Sequence, residues 1–255
     1  MSEQTLQSSW PTVLILTPVK DAAMFLPYYF HLLKTLTYPH HLISVGILEG
    51  DSRDNTWEVA QMLIPEMQRE FASAGLWKQD FGLELPTGIH RGAPELQIAR
   101  RRTLARARNH LLFHALQDQE WVLWLDVDII EYPVDLIEQL ISSGRNIVQP
   151  HCVLDYGGPT FDQNGWRDFG RYHLDDLRNE GDIVPLDAVG GTVLLVRANL
   201  HRDGLIFPPV PHRPGHPKAR PGQGELETEG LGMLAWDMGE TCWGMPWLEV
   251  LHARH

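Results

Sequence analysis

Short apolar runs alternate along this chain with longer segments in which apolar residues recur every three or four positions. The short runs are rich in Val, Ile and Leu, and they predict buried strands at residues 13–17, 43–48, 121–125, 146–149 and 192–196. The longer segments predict helices at residues 22–36, 57–71, 93–116 and 133–142. Strands that alternate with helices over short connections are typical of an α/β fold with a doubly wound, mostly parallel sheet.

Polar residues follow three of the predicted strands, at residues 17–21, 49–54 and 126–128. Doubly wound sheets bind ligands in a crevice outside the carboxyl ends of their strands. Because the carboxyl ends of parallel strands lie at one edge of the sheet, we expect these three segments to meet. Their convergence predicts one binding crevice.

The pattern weakens after residue 199, and residues 208–224 are crowded with Pro and Gly. This segment also carries the basic residues Arg213, Lys218 and Arg220. Two interpretations stay open for it, a mobile loop that closes over the crevice as a lid or a disordered surface insertion.

The charge of the chain excludes one broad class of function. The 33 Asp and Glu residues outnumber the 21 Lys and Arg residues, which gives a formal net charge of −12. Nucleic-acid backbones attract basic surfaces, so nonspecific binding of nucleic acid is not expected. The two cysteines, Cys152 and Cys242, lie too far apart to predict a metal site or a disulfide framework, and we expect both to be reduced and near the core.

The first ten residues contain neither the basic region nor the apolar region of a secretory signal. No apolar run approaches the about 20 residues that span a bilayer. We therefore expect a cytoplasmic protein without a transmembrane segment, while peripheral contact with a membrane stays open.

Asp126-Val127-Asp128 directly follows the apolar run of residues 121–125. Two carboxylates at positions i and i+2 reach the same ion if the chain turns where the strand ends. Oxygen ligands suit Mn²⁺ or Mg²⁺, and such an ion neutralises the charge that develops on a departing nucleoside diphosphate. The alternative is a pair of hydrogen-bonded turn carboxylates, but the position at a strand end favours Asp126 and Asp128 as metal-binding and catalytic residues.

The second polar segment contains candidate nucleotide-binding residues. Glu49 and Asp51 lie where the predicted strand ends, and an acidic residue there accepts hydrogen bonds from a base or a ribose. We also expect Asp54 or Asn55 to cap the helix that follows.

The helix predicted at residues 93–116 is rich in arginine, with Arg100, Arg101, Arg102, Arg106 and Arg108. Arg101 and Arg108 are seven positions apart and flank the buried stripe of that helix, so both are expected to face the crevice and meet a diphosphate. Others of the five are expected to be solvated or paired with surface acids.

Three further residues are candidates near the end of the sequence. His252 follows an apolar segment, and a histidine completes a metal site otherwise built from carboxylates, although a lone histidine is more often structural. Glu227 and Glu229 are candidate catalytic residues that hold acceptor hydroxyls or shape the reacting centre. The alternative for these two acids is a dipole role at the first turn of a helix.

Seven blocks of the chain resemble the fungal mannan-polymerase mannosyltransferases of glycosyltransferase family 62. In order they are TPVKDAAMFLPYYFHLLKTLTYP, LEGDSRDNT, ARARNHLL, WVLWLDVDIIEYP, VGGTVLLVRANLHRDGLIFPP, LETEG and a terminal LH. The blocks run, with gaps, from residue 13 to residue 252, and their order is far more specific than the acidic triplet alone.

The resemblance implies a GT-A fold, GDP-mannose as donor, a divalent ion with Mn²⁺ preferred, and α-mannosyl transfer with retention to a glycan or other hydroxyl acceptor. It places Asp126, Asp128 and His252 at the metal site. It places the nucleotide against Thr17, Pro18, Glu49 and Asp51, and the donor sugar beside Gly190 and Gly191.

The same resemblance implies one GT-A domain over residues 1–255. About residues 10–150 form its nucleotide-binding half, and about residues 151–255 form an acceptor-side half that carries the segment 208–224. Fungal members have an N-terminal membrane anchor, whereas this chain starts almost at its first predicted strand, which implies a soluble prokaryotic relative. The acceptor and the oligomeric state are not specified by the sequence.

Two other classes of function stay open. A sugar nucleotidyltransferase also uses metal carboxylates, but it needs a glycine-rich loop after the first strand, where this chain has Thr17-Pro-Val-Lys-Asp21. A noncatalytic nucleotide-sugar-binding homologue is the second alternative, and the intact Asp126, Asp128 and His252 disfavour it.

Overall fold

The computed structural model describes residues 10–83, 94–222 and 224–254. Its strands are β1 (Val13–Val19), β2 (Ile43–Glu49), β3 (Ser73–Lys78), β4 (Trp121–Leu125), β5 (Ile129–Glu131), β6 (Ile147–Val153), β7 (Val184–Leu186), β8 (Val193–Arg197) and β9 (Cys242–His252). Its α-helices are α1 (Leu26–Thr35), α2 (Thr56–Glu70), α3 (Pro94–Ala115), α4 (Leu136–Ser142), α5 (Ala198–Arg202) and α6 (Glu227–Asp237).

All of these strands belong to one sheet with the order β3-β2-β1-β4-β8-β6-β9-β5, and β7 pairs with β9 outside this path. The strands β1 to β4 are mutually parallel, and β6 and β9 run in the same direction. The strands β5, β7 and β8 are antiparallel to their neighbours. The predicted α/β class with a doubly wound, mostly parallel sheet is therefore confirmed.

The two faces of the sheet bury two separate cores. On β1, residues 13, 15 and 19 pack in one core with helices α1, α2 and α4. Residues 14 and 16 of the same strand pack on the other face with helices α3, α5 and α6. Because successive side chains of a strand point to opposite faces, only every second residue at a strand end reaches the face on which α3 lies.

Each predicted strand and helix is present, with ends shifted by a few residues. Asn55 is the N-cap residue of α2 but makes no capping hydrogen bond with its side chain, whereas the Asp54 side chain accepts a 3.0 Å hydrogen bond from the amide of Thr56, the first residue of α2. The sequence pattern missed β3, β5, β7 and β9. The most consequential omission is β9, whose burial alternates along its whole length but whose inward positions include Gly244 and Pro246 in place of apolar side chains.

β9 lies between β6 and β5 in the sheet, and its last residues lie near the end of β4. It is parallel to β6 and antiparallel to both β5 and β7. Its register with β6 shifts, because Pro150 pairs with Met245 while the next residue, His151, pairs with Glu249. β5 pairs with the last residues of β9, with Ile129 opposite His252. This pairing brings residue 252 beside the turn that follows β4.

The segment 208–224 packs against the body of the protein in this structure. Arg220 pairs with Glu225 at 2.8 Å, Lys218 pairs with Asp187 at 2.8 Å, and His212 approaches Asp237 of α6 at 3.0 Å. These contacts hold the described residues of the segment in place, so a lid at this position would first have to break several ion pairs.

No helix in the described ranges is both long enough and apolar enough to cross a bilayer.

Candidate functional site

A crevice with two lobes opens at the carboxyl ends of β1, β2 and β4, on the face covered by α3. The narrow lobe has a volume of about 230 Å³, and Leu48 and Phe81 contribute to its wall. The wide lobe has a volume of about 850 Å³, and Asp162 and Glu227 contribute to its wall. Four residues line both lobes, namely Arg100, Leu104, Asp126 and Asp128. The acidic triplet therefore lies at the junction of the two lobes.

Main-chain hydrogen bonds hold the acidic triplet at the end of β4. The amide of Asp126 donates to the carbonyl oxygen of Thr192 at 2.8 Å, and the amide of Ala253 donates to the carbonyl oxygen of Asp128 at 2.9 Å. One side of the triplet is thus tied to the segment before β8, and the other to the residue after β9. Both carboxylates face the crevice because the chain turns where β4 ends, as the sequence pattern predicts.

His252 lies beside the triplet in a defined orientation. Its Nδ1 is 2.7 Å from the carbonyl oxygen of Ala253. Because a carbonyl oxygen can only accept a hydrogen bond, Nδ1 must carry the hydrogen. The other ring nitrogen, Nε2, lies 3.2 Å from Oδ1 of Asp128. In the neutral imidazole the lone pair of Nε2 therefore points toward the carboxylates. This is the tautomer that binds a metal ion through Nε2 while a backbone carbonyl orients the ring.

The electrostatics of the junction indicate an excess of negative charge. Burial raises the pKa of Asp126, and the neighbouring carboxylates of Asp128 and Asp162 add to this effect, while Arg108 opposes it. Burial lowers the pKa of His252, but its hydrogen bond and its attraction to Asp128 outweigh the burial, so the net shift is upward. Neighbouring carboxylates contribute to both shifts, and a bound cation would relieve their mutual repulsion.

The donors at the junction fit a hard divalent ion. Two carboxylates and one imidazole nitrogen are ligands that Mn²⁺ accepts, and carboxylates alone suit Mg²⁺. Among the described residues, no group of three or more His, Cys, Asp and Glu side chains is arranged as a ready metal cage. A divalent ion bound by so few protein groups usually takes its remaining ligands from water and from a phosphate-containing ligand.

Arg108 of α3 is fully buried beneath the junction and pairs with acids on two sides. Its Nη1 donates to Oε1 of Glu227, and its Nη2 lies 3.3 Å from Oδ1 of Asp126. Nη2 also donates to the carbonyl oxygen of Gly191 at 3.0 Å. The expectation that Arg108 faces the crevice is met, but its guanidinium is engaged by protein acids and serves to hold them.

The ion pairs continue from Glu227 toward the segment 208–224. Arg101 lies 3.8 Å from Glu227 and 2.6 Å from Glu229, and Arg220 lies 2.5 Å from Glu229. The indole nitrogen of Trp166 donates a further hydrogen bond of 2.7 Å to Glu229. Glu229 is thereby enclosed and lines neither lobe of this structure, although it was expected near the acceptor, and its catalytic role stays a prediction. Glu227 and Arg101 do line the wide lobe.

The glycine pair before β8 gives two side chains the room they need. A Cβ atom at Gly190 would overlap the Asp162 carboxylate, and a Cβ atom at Gly191 would lie 2.5 Å from Nη2 of Arg108. Oδ2 of Asp162 accepts hydrogen bonds from the amides of Gly191 at 2.9 Å and Thr192 at 3.1 Å. Asp162 lies in an irregular segment without a motif, so no local sequence pattern predicted it.

Replacing Gly190 with Ala is expected to lower the free energy of unfolding by about 1–3 kcal/mol, because the new methyl group overlaps the Asp162 carboxylate in a packed interior. Urea denaturation measures this change. In a double-mutant cycle the cost should shrink when Gly190→Ala is made in an Asp162→Ala background. An equal cost in both backgrounds would show that Asp162 is not the obstacle.

Four residues were expected at the nucleotide, and the structure separates them into two pairs. Pro18 and Asp51 line the narrow lobe. Thr17 and Glu49 do not, because both side chains project from the opposite face of the sheet. Thr17 instead donates to the carbonyl oxygen of Leu125 at 2.8 Å, and Glu49 accepts from the amide of Ser52 at 3.2 Å. In this structure their side chains therefore stabilise the turns, and their expected contact with the nucleotide stays a prediction.

Asp51 lines the narrow lobe and also stabilises the backbone of a neighbouring segment. It adopts a left-handed backbone conformation with φ 58°. Its carboxylate accepts hydrogen bonds from the amides of Phe81 at 3.1 Å and Gly82 at 2.9 Å. These bonds fix the Phe81 ring against the narrow lobe.

Arg100 is the basic residue best placed for a ligand, although the sequence analysis selected Arg101 and Arg108. Arg100 lines both lobes and makes no ion pair with any described residue. Its position one residue before Arg101 turns it toward the junction, where Asp126 and Asp128 lie. A phosphate at the junction would meet this guanidinium.

A sequence model of the Anp1 family matches residues 1–171 and 167–211. The chain belongs to the Anp1 family. It is 29% identical over 282 residues to the anp1 subunit of the mannan polymerase II complex of Schizosaccharomyces pombe, and it is 31% identical over 280 residues to the mnn9 subunit of the mannan polymerase complex of the same yeast. The matches cover 94% of this chain, 63% of the anp1 subunit and 79% of the mnn9 subunit. The predicted family is thereby confirmed.

Solved structures show the fold. The mannosyltransferase PcManGT from Pyrobaculum calidifontis, in complex with GDP-Man and Mn²⁺, superposes with a TM-score of 0.60 at 16% identity, over 96% of this chain and 58% of that one. GalNAc-T7 with UDP, GalNAc and Mn²⁺ gives a TM-score of 0.61 at 13% identity, over 97% and 45% of the two chains. The fold of this Anp1-family chain is that of the GT-A glycosyltransferases.

Proposed function

We propose that this chain is a metal-dependent mannosyltransferase that moves mannose from GDP-mannose to a carbohydrate or other hydroxyl acceptor with retention of configuration. The observation that carries the proposal is the position of Asp126 and Asp128 at the junction of the two lobes. A nucleotide sugar has its diphosphate between a base and a hexose, so a cation held at the junction would face the diphosphate while each lobe received one end of the donor.

The narrow lobe suits the nucleoside. Leu48, Phe81 and Ala107 supply apolar surface, and Asp51 and Lys20 add polar groups at its wall. An apolar slot with a few polar groups is typical of a site that orients a planar base and its ribose. The relatives are named as mannan polymerase subunits, and the PcManGT structure contains GDP-Man, which supports guanine and mannose as the two ends of the donor.

Asp126, Asp128 and Nε2 of His252 are the protein groups that would hold the ion. When bound, Mn²⁺ or Mg²⁺ supplies positive charge that stabilises the diphosphate as it departs. Arg100 would bind the phosphate oxygens from the side of α3. Arg108 keeps Asp126 in position through the 3.3 Å contact and holds Glu227 on the other side.

Among the described residues of the wide lobe, the acids other than Asp126 and Asp128 are held by the protein, which disfavours a covalent double displacement as the route to retention. The Asp162 carboxylate accepts three hydrogen bonds through Oδ2, and Glu227 is paired with Arg108 and Arg101. In the proposed reaction the acceptor hydroxyl attacks from the face that the diphosphate leaves, and a phosphate oxygen of the donor takes the hydroxyl proton. The bond from C1 to the phosphate oxygen breaks as the new bond from C1 to the acceptor oxygen forms.

The proposed activity is tested by incubating the protein with GDP-mannose, other nucleotide sugars and Mn²⁺ and measuring the free nucleoside diphosphate. We expect GDP release from GDP-mannose that stops when EDTA removes the ion and returns when Mn²⁺ is added in excess. Production of pyrophosphate would instead identify a nucleotidyltransferase. Binding of GDP-mannose without release, under any metal, would identify a noncatalytic homologue.

A further inference from the structure

The wide lobe is larger than one hexose requires. Its volume of about 850 Å³ lies in the range of pockets that enclose a drug-sized ligand. The junction residues and Gly191 form part of its wall, and the segment that follows β6 adds Phe161, Gln163 and Asn164 to it. These three residues have no part in the donor site proposed above.

Phe161 is a fixed aromatic surface in the wall of this lobe, next to His252. Its amide donates to the carbonyl oxygen of Cys152 at the end of β6, at 2.8 Å. Its ring centroid lies 4.2 Å from that of His252, with the two planes tilted by 36°. The imidazole supports the phenyl ring, yet 38% of the Phe161 surface remains exposed. A large apolar side chain is thus held in place while part of it remains open to the cavity.

Two polar side chains of the same segment line the lobe together with this ring. The side-chain amides of Gln163 and Asn164 make no hydrogen bond with any other residue that the structure describes, although Asn164 is partly buried. Each amide offers two donors and one acceptor oxygen. The combination is an apolar face with adjacent amides that can both donate and accept.

A pyranose ring matches this combination. The C–H groups on one face of a pyranose carry partial positive charge and pack on the negative face of an aromatic ring. Its hydroxyl groups, each a donor and an acceptor, pair with amide side chains. Resting on the proposed function, we infer that Phe161, Gln163 and Asn164 form the subsite for the acceptor, and that the acceptor presents a terminal hexose there.

The substitution Phe161→Ala tests the subsite with methyl α-D-mannopyranoside as the acceptor probe. We expect the ratio of sugar transfer to donor hydrolysis, measured at low acceptor concentration, to fall about tenfold, and Phe161→Trp to restore it. A ring that merely supported His252 would lower transfer and hydrolysis together and leave their ratio unchanged. That result would overturn the subsite. The matched control is Phe113→Ala, which removes an exposed phenyl group from α3 outside both lobes and should leave the ratio at its original value.

Binding of the probe is also measured without turnover, by saturation-transfer NMR with GDP and Mn²⁺ present. We expect clear transfer to the mannoside in the original protein and loss of that signal in Phe161→Ala. Equal signals in both proteins would contradict the subsite even if GDP-mannose is a substrate. If no nucleotide sugar is turned over, the proposed function fails, while the NMR comparison still decides whether Phe161 binds a hexose.

Discussion

Asp128→Ala should abolish metal-dependent release of GDP from GDP-mannose, with a loss of at least about a hundredfold. The carboxylate lies at the junction of the two lobes and 3.2 Å from Nε2 of His252, so its removal takes away one proposed metal ligand and the charge beside a second. Charge stabilisation by a catalytic metal is worth several kcal/mol, and each 1.36 kcal/mol corresponds to about tenfold in rate. Initial rates over a range of Mn²⁺ concentrations measure the effect.

Asp118→Ala is the matched control for this variant. It removes the same carboxylate from an exposed position in the turn before β4, at the opposite end of the strand from the triplet. We expect both variants to stay folded, and Asp118→Ala to keep its GDP release. Turnover at the original rate in Asp128→Ala would remove the acidic triplet from the proposed mechanism.

Arg108→Met should lower the free energy of unfolding by about 3–5 kcal/mol. Arg108 is only 2% exposed, and its loss would leave Glu227, also 2% exposed, without its principal partner. Removing one member of a buried ion pair strands the other charge in a medium of low dielectric constant, which costs far more than losing a surface pair. Methionine keeps much of the volume, so the change reports mainly on charge. Urea denaturation measures the difference.

Two further variants separate this charge effect from a simple loss of packing. Arg102→Met makes the same replacement at an exposed position of α3, and it should change stability by no more than about 0.5 kcal/mol. Adding Glu227→Gln to Arg108→Met should recover part of the loss, because the remaining side chain is then neutral. A double variant as unstable as the sum of the single changes would show that the two side chains do not act as a pair.

The parts of the fold that the sequence predicts are those in which the local pattern agrees with the tertiary environment. The run Trp121–Leu125 is buried on both faces and contains only apolar residues, so both the strand and the position of Asp126 after it are evident. β3 is a partly exposed edge strand, and it lacks such a run. In β9 the inward positions that would indicate a strand are partly glycine and proline, since Gly244 packs against Leu174 and Leu186.

Some residues of the candidate site are likewise predicted by a local sequence pattern, and others are not. Polar residues at strand ends predicted the crevice, but alternation along the strands turns Thr17 and Glu49 to the opposite face while Pro18 and Leu48 reach the narrow lobe. The alternation of buried apolar residues along β1 and β2 distinguishes these two sets of residues. Asp162 and Phe161 had no such signal, because an irregular segment brings them to the wide lobe and its path depends on tertiary contacts alone.

The family resemblance located His252 where local pattern did not. A single histidine near an apolar segment is usually structural, and nothing in its neighbourhood specifies a ligand. The structure adds the physical reason, which is the hydrogen bond from Nδ1 to the Ala253 carbonyl that leaves Nε2 facing Asp128. That contact joins positions more than a hundred residues apart in the chain.

The pairing of β9 has a consequence for incomplete chains. β9 separates β6 from β5 and also pairs with β7, and every residue of β6 is buried. Without residues 242–252, β6 would present its unpaired main-chain groups and its apolar side chains to other molecules, which is the condition that promotes aggregation between sheet edges. A chain that stops short of β9 is therefore expected to misfold and aggregate.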